Sequence, residues 1–232
     1  MIKIKHKPGS GELMIKKLSM YDTEYFFKEK NTMTYVSYGQ EAFSFAEPSA
    51  FNEGTFLFRL VKMDFDKWIE KNPNPEFTER YRLEIESDLN KKYEGERYSY
   101  DINHAYWRIA FINDYISENT YEHGLTLKDK NSALKQLYCM ALSVRGQNRS
   151  LDGYIGMKKT GNKRIVSGDE LHRTIYTDIR NKTYKIMDEI AHRLGNDFIE
   201  YKVDCITFKN KDNCEVVERM LTEENVMFKK VI

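Results

Sequence analysis

Residues Arg97–Ala110 read RYSYDINHAYWRIA, and the rest of the sequence is best interpreted outward from this stretch. Tyr98 and Tyr100 alternate with polar residues, which is the two-residue period of a half-buried strand. The alternation places Asp101 on the polar face at the end of that strand. The apolar spacing from Tyr106 onward predicts a turn into a helix. A carboxylate at a strand end, just before a helix N-terminus, can hold a metal cation beside backbone N–H groups that bind anions.

A second aspartate has a similar setting about a hundred residues later. Residues 198–208 alternate between apolar and charged side chains, which predicts one strand with Asp204 on its charged face. A long helix is predicted before this strand, from a capping-box pattern at Ser167–Glu170 to a C-terminal Gly195. The order of strand, helices and strand is therefore expected to bring Asp101 and Asp204 together.

These two segments carry a resemblance to family B DNA polymerases. Residues 100–107 resemble the first catalytic motif of that family, D-x-x-S-L-Y-P, through Asp101 and Tyr106. The residues around Asp204 are similar to the last catalytic motif, roughly Y-x-D-T-D-S-I. Lys202 stands where that motif has its first aspartate, so one acidic residue of the family pattern is absent.

The resemblance implies template-dependent deoxynucleotidyl transfer by a two-metal mechanism with Mg²⁺ or Mn²⁺ as the cofactor. Asp101 and Asp204 would be the catalytic residues, and both would bind the metal together with the backbone carbonyl of Ile102. Tyr106 would pack under the sugar and favour deoxynucleotides. The residues implied for nucleotide binding are Asn103, His104, Tyr106, Lys130, Lys135 and Arg145.

The segment between the aspartates carries the positive charge. A capped helix is predicted after Asn131, and it resembles the fingers helix of family B polymerases in Tyr138 alone; the family's triphosphate-binding lysine would fall at Asn131. Thr160-Gly161-Asn162 predicts a hairpin whose basic tip contacts the phosphate backbone of DNA. The candidate DNA-binding residues are Lys158, Lys159, Lys163, Arg164 and Lys202.

We expect an α+β fold, with a polymerase-palm-like antiparallel sheet and helices packed on one face. Residues 96–232 would form the palm-like domain, with a short fingers-like helix and hairpin at about 128–166. Residues 1–95 would form an N-terminal α+β region that completes the palm or has a separate role. The resemblance covers neither a proofreading exonuclease nor a thumb.

Within the N-terminal region, alternation predicts strands at Leu13–Leu18, Thr32–Tyr38 and Thr55–Met63. Apolar residues recur every fourth position from Phe77 to Leu89, which predicts an amphipathic helix. No motif in this region points to a chemical activity.

Composition limits the functional classes. The 232 residues are 41% hydrophobic and carry a formal net charge of +1, so a nucleic-acid partner requires a local basic patch. Three cysteines without a C-x-x-C pair favour free thiols in a reducing compartment over a zinc site. The sequence shows no signal segment and no transmembrane run, so we expect a cytoplasmic protein without a membrane partner, in the bacterial host if phage-encoded.

Three functions fit these observations. The first is a minimal phage or mobile-element polymerase that acts in DNA replication on primer–template and dNTPs, with a partner protein that aids primer grip. The second is a catalytically degenerate palm that serves as a DNA-binding or protein-interaction module. The third is a metal-dependent nuclease that uses the same aspartates.

Overall fold

The computed structural model describes residues 2–7, 9–30, 33–46, 51–73 and 93–231. The strands in this part of the chain are β1 (Ile2–His6), β2 (Tyr25–Lys30), β3 (Met33–Tyr38), β4 (Glu41–Ala46), β5 (Tyr98–Ile102), β6 (Arg149–Ile155), β7 (Lys158–Ser167), β8 (Phe198–Lys202), β9 (Cys205–Phe208) and β10 (Phe228–Val231). The helices are α1 (Gly11–Leu18), α2 (Phe51–Lys71), α3 (Ala105–Ile112), α4 (Glu118–Lys128), α5 (Ser132–Ala141), α6 (Glu170–Leu194) and α7 (Cys214–Glu223). The predicted α+β class is confirmed.

The chain forms two compact units, each built from two segments. Unit 1 comprises Met1–Pro73 and Ser117–Tyr176, and unit 2 comprises Asn74–Ile116 and Thr177–Ile232. This division differs from the predicted boundary between residues 95 and 96. The segment from α4 to β7 belongs with the N-terminal residues because β6 pairs with β2 and β7 pairs with β1.

Unit 1 contains a closed barrel with the strand order β1-β4-β3-β2-β6-β7. The barrel closes through parallel pairing of β1 with β7, and β1 is also parallel to β4. The remaining neighbours are antiparallel. One cluster of the core is formed by the buried side chains of Ile15, Tyr25, Val36, Phe43 and Phe45. The strand predicted at Thr32–Tyr38 is confirmed as β3.

Two predicted strands of unit 1 are helices. Leu13–Leu18 lies in α1, whose N-terminus is capped by Ser10: the side-chain oxygen of Ser10 accepts a hydrogen bond from the Leu13 N–H at 3.3 Å. Thr55–Met63 lies in α2, where Leu57, Val61 and Phe65 are buried at a four-residue spacing. Apolar residues are nearly continuous there, so they matched a two-residue and a four-residue period equally well. The helix predicted between residues 77 and 89 lies outside the described residues.

The two long helical predictions after residue 128 are confirmed with one adjustment. The side chain of Asn131 caps α5 by accepting a hydrogen bond from the Leu134 N–H at 2.9 Å. The cap of α6 is Asp169, which accepts a hydrogen bond from the His172 N–H at 3.1 Å. The capping box predicted from Ser167 is wrong by two residues because Ser167 still belongs to β7. None of the described helices is both long and apolar enough to cross a membrane.

Unit 2 contains an antiparallel sheet with the strand order β10-β5-β9-β8. Its elements follow the split β-α-β-β-α-β order, and the segment from Ser117 to Tyr176 lies within the first crossover. Helices cover the face that carries Tyr100, since the Tyr100 hydroxyl donates to Glu218 of α7 at 2.5 Å. Tyr201 on β8 donates to Asp188 of α6 at 2.8 Å.

The strand predicted over residues 198–208 is a hairpin. Lys202 of β8 pairs with Cys205 of β9, which leaves Val203 and Asp204 as a two-residue turn. Val203 has a φ of +58°, the left-handed backbone that such a tight hairpin turn needs. Alternation continues through the turn in the sequence, so periodicity alone does not reveal the reversal.

Candidate functional site

Asp101 occupies the polar face of the sheet in unit 2. Directly opposite residues of antiparallel strands project to the same face. Asp101 of β5 pairs with Lys229 of β10 on one side and with Cys205 of β9 on the other, and Cys205 pairs with Lys202 of β8. These residues therefore form one cross-strand row, Lys229–Asp101–Cys205–Lys202. Tyr100 and Ile102, which flank Asp101 in the sequence, are buried at 1% exposure on the opposite face.

Asp204 lies next to this row, in the turn of the β8–β9 hairpin. Its N–H donates to the Lys202 carbonyl at 2.6 Å, and its carbonyl accepts from the Ile102 N–H at 2.8 Å. The second bond ties the turn to the residue that follows Asp101. The two aspartates, 103 positions apart in the sequence by the difference 204 − 101, are thereby brought to the same end of β5.

The two carboxylates influence each other. Burial raises the pKa of Asp204, and the negative charge of Asp101 raises it further, while Lys229 acts in the opposite direction. The pKa of the Cys205 thiol is also raised, first by burial and then by the charges of Asp101 and Asp204. Both shifts have the same two causes, burial first and then the negative charge at this end of the sheet.

Cations flank the carboxylates. The Lys229 ammonium lies 3.2 Å from the Asp101 carboxylate, with side-chain exposures of 61% and 26%. Lys202 lies at the other end of the row and is 3.4 Å from Glu200. Sequence reasoning assigned no role to Lys229. Lys229 lies in β10, and the antiparallel pairing of β10 with β5 cannot be recognised from local sequence.

The residues present fit a divalent cation. Mg²⁺ and Mn²⁺ prefer oxygen ligands and retain several waters, so a pair of carboxylates is a sufficient protein donor set. Burial raises the pKa of Asp204 and the charge of Asp101 raises it further, so a bound cation would favour the charged carboxylate. Within the described ranges, no group of three or more histidine, cysteine, aspartate or glutamate side chains is gathered for a metal. Asp101 and Asp204 would therefore hold the ion largely with water.

The predicted phosphate-binding N–H groups after Asp101 are partly occupied. The Ile102 N–H donates to Asp204, and the Asn103 N–H donates to the Met227 carbonyl at 2.7 Å. These two groups hold the sheet together, and phosphate binding by the N–H groups that follow them at the start of α3 stays a prediction. His104 follows in the left-handed backbone region, with a φ of +57°, and α3 starts at the next residue. Tyr106 is half-buried in the first turn of α3.

The remaining nucleotide-binding candidates, Lys130, Lys135 and Arg145, belong to unit 1. Lys130 forms an ion pair with Glu53 at 2.8 Å. Lys135 is exposed on α5. Burial lowers the pKa of Arg145, although the charges of Asp66 and Asp169 oppose that shift. Their assignment to a nucleotide stays a prediction.

The basic hairpin exists, but its turn is elsewhere. Ile155 pairs with Lys158, so the turn is Gly156-Met157, and Gly156 has a φ of +56°. Thr160-Gly161-Asn162 lies within β7, at the register shift of the β6–β7 pair. A bulge and a turn both use glycine with positive φ, which is why the sequence pattern misplaced the tip.

The basic side chains of this hairpin differ in their contacts with the rest of the protein. Lys159 forms an ion pair with Asp152 at 3.0 Å. Arg164 lies over the Phe26 ring, 4.1 Å from its centroid, and donates to the Gly39 carbonyl at 2.8 Å, so it supports the barrel. Lys158 and Lys163 are exposed and stay candidates for a phosphate contact.

Comparison with known proteins adds no assignment, since the chain matches no protein-family model and no curated protein at a significant level.

Proposed function

We propose that unit 2 carries out metal-dependent nucleotidyl transfer with deoxynucleotides on a nucleic-acid template. The observation that carries this proposal is the hydrogen bond from the Ile102 N–H to the Asp204 carbonyl, which brings Asp101 and Asp204 to the same end of β5. The two aspartates belong to a β-α-β-β-α-β sheet and lie in segments that independently resemble the first and last catalytic motifs of family B DNA polymerases.

Each residue of the site has a defined task in this proposal. Asp101 and Asp204 hold the divalent cations, which when bound activate the attacking hydroxyl and bind the triphosphate. Lys202 and Lys229 flank the carboxylates in one row and attract phosphate oxygens by charge. Tyr106, by the resemblance, packs under the sugar. DNA primer–template and dNTPs are the partners, and a replication protein would supply additional primer grip.

Primer extension tests the proposal. Purified protein is incubated with primer–template, labelled dNTPs and Mg²⁺ or Mn²⁺, in parallel with Asp101→Asn, Asp204→Asn and Asp114→Asn. Asp114 is the matched control because it is an exposed carboxylate of unit 2 whose φ of +58° asparagine accepts well. We expect extension by the wild type and the control and a loss of at least about 100-fold in the other two, since changes one shell further from a metal already cost about 10–100-fold.

A DNA-binding module without catalysis is the second candidate, and the ion pair between Lys229 and Asp101 favours it because the ammonium competes with a cation for that carboxylate. Wild-type protein that binds primer–template tightly but extends nothing, with either metal, would establish this second function. Shortening of the labelled strand that requires Asp101 would instead identify a nuclease. Extension that survives in Asp101→Asn would refute the catalytic assignment altogether.

A further inference from the structure

A cavity of about 320 Å³ lies in unit 1, between α1 and the adjoining end of the barrel. Its volume is at the lower end of the roughly 300–1,000 Å³ found for ligand pockets, which suits a ligand the size of a nucleoside. Three of its eight lining residues are tyrosines. The lining includes Lys17, Leu18, Tyr21, Glu24, Tyr25 and Tyr38.

The tyrosines differ in how firmly they are held. Tyr25 is 1% exposed, and its hydroxyl donates to the Gly156 carbonyl at 2.7 Å, so its ring is a fixed wall. Tyr21 is 56% exposed and lies at the rim. The exposed ring of Tyr21 can receive a flat ring by stacking, whereas the buried ring of Tyr25 has no open face and only fixes the shape of the cavity.

One carboxylate gives the cavity a directional acceptor. Oε1 of Glu24 accepts hydrogen bonds from the Thr160 hydroxyl at 2.6 Å and the Asn162 amide at 2.8 Å. These two bonds lower the pKa of Glu24, so the carboxylate is charged at neutral pH. Neither bond uses Oε2, which is thereby left to accept from a ligand.

Positive charge lies at the same end of the barrel. Lys17 is an exposed lining residue that forms no ion pair with any residue in the described part of the chain. The β6–β7 turn is close to the end of α1, since a Cβ at Gly156 would lie 3.8 Å from the Ser19 carbonyl. The turn brings Lys158, which is exposed, to that region. The cavity is thus lined by one cation, Lys17, and one acceptor, Glu24.

We propose that this cavity binds a nucleobase that carries an exocyclic amino group, together with its phosphate. The base stacks against the exposed ring of Tyr21, its amino group donates to Glu24 Oε2, and Lys17 contacts the phosphate. The choice of nucleotides as the ligand class rests on the proposed function of unit 2. The shared chemistry is supplied by a free nucleotide or by a base of single-stranded nucleic acid.

Binding without metal tests the proposal. The wild type is titrated by NMR or calorimetry with GMP, AMP, CMP and TMP and with 12-residue single strands of the corresponding bases. We expect the amino-bearing bases to bind more tightly than thymine, whose N–H donor is flanked by two carbonyls that the carboxylate repels. Single strands that bind much more tightly than the mononucleotides would identify a strand as the ligand, and equal affinities would identify a free nucleotide.

Three variants and one control locate the site. Tyr21→Ala is expected to weaken binding about tenfold, within the range found for loss of a base–aromatic stack. Glu24→Gln is expected to reduce the preference over thymine, and Lys17→Ala to weaken nucleotides but not nucleosides. Met20→Ala is the control, because Met20 is 79% exposed next to Tyr21 but does not line the cavity. Tyr21 is exposed enough that its replacement leaves the fold intact.

Two results would overturn the inference: no nucleotide binding at millimolar concentrations, or equal affinities for Tyr21→Ala and Met20→Ala. The variant Asp101→Asn, changed in unit 2, separates a failure of this inference from a failure of the proposed function. We expect this variant to retain base binding while it loses primer extension. Base binding in a protein that never extends a primer would leave the cavity assigned and the catalytic proposal refuted.

Discussion

Replacing Asp101 with asparagine separates a metal ligand from a structural residue. The substitution keeps the shape of the side chain and removes its charge. The variant loses the ion pair with Lys229, whose side chain is 61% exposed, and such solvated pairs contribute about 0–1 kcal/mol. The charge that raises the pKa of Asp204 disappears as well, which offsets part of that loss. We therefore expect the free energy of unfolding to change by less than about 1 kcal/mol without metal.

Divalent cations should reveal the functional difference. A ligand at 100 times its dissociation constant stabilises the native state by about 2.7 kcal/mol. The wild type should show this gain with Mg²⁺ or Mn²⁺, and Asp101→Asn should lose most of it. The pKa of Asp204 should fall in the variant, because the neighbouring charge has gone.

Urea unfolding measures these quantities. Trp107 on α3 is buried at 3% exposure in unit 2, and a Trp68→Phe background makes it the sole tryptophan. Midpoints are compared for the wild type, Asp101→Asn and the control Asp114→Asn, with and without metal. A metal-free loss above about 3 kcal/mol would make Asp101 structural. Equal stabilisation of Asp101→Asn and the wild type by metal would show that the cation binds elsewhere.

Two further predictions concern the stability of unit 1. Leu137→Ala should lower the free energy of unfolding by about 2–5 kcal/mol because Leu137 is fully buried. Leu13→Ala, at a 67% exposed position, should change it by less than about 0.5 kcal/mol. Urea unfolding measures both, and equal losses would contradict the assignment of Leu137 to the core. Burial holds the pKa of His172 below 6.5 although Asp66 and Asp169 oppose the shift. As the pH falls, the unfolded chain therefore binds the extra proton first, and the free energy of unfolding should decrease below pH 6.5. Unfolding curves at stepped pH should show a weaker pH dependence in His172→Gln, and an unchanged dependence would contradict the assignment.

Local sequence was sufficient for the first half of the candidate site. The alternation before Asp101 and the helical spacing after it depend on neighbours within about ten residues, and β5 and α3 follow them closely. The helices α5 and α6 were predictable for the same reason. The apolar segments Leu13–Leu18 of α1 and Thr55–Met63 of α2 were not, because their hydrophobic residues also matched the two-residue period of a strand.

For Asp204, the sequence predicted the residue correctly as a candidate but not its place in the hairpin. Its residue type and order along the chain were sufficient to nominate it as a partner of Asp101. Its placement in a turn was not predictable, since residues 198–208 alternate without a conspicuous Gly or Asn-Gly signal. The reversal is decided by pairing of β8 with β9 and by the bond from Ile102 to Asp204, which are contacts between distant segments.

The sequence by itself determined the strand that carries Asp101, the helix that follows it, and the candidacy of Asp204, because these depend on local periodicity and residue chemistry. Only the tertiary structure decided that Lys229, Asp101, Cys205 and Lys202 share one row and that β6 and β7 close a barrel with the N-terminal strands. Strand register and strand partners are non-local: burial of one sheet face and the pairing of backbone groups select them over the whole unit. The charge balance around the two carboxylates is a consequence of that selection.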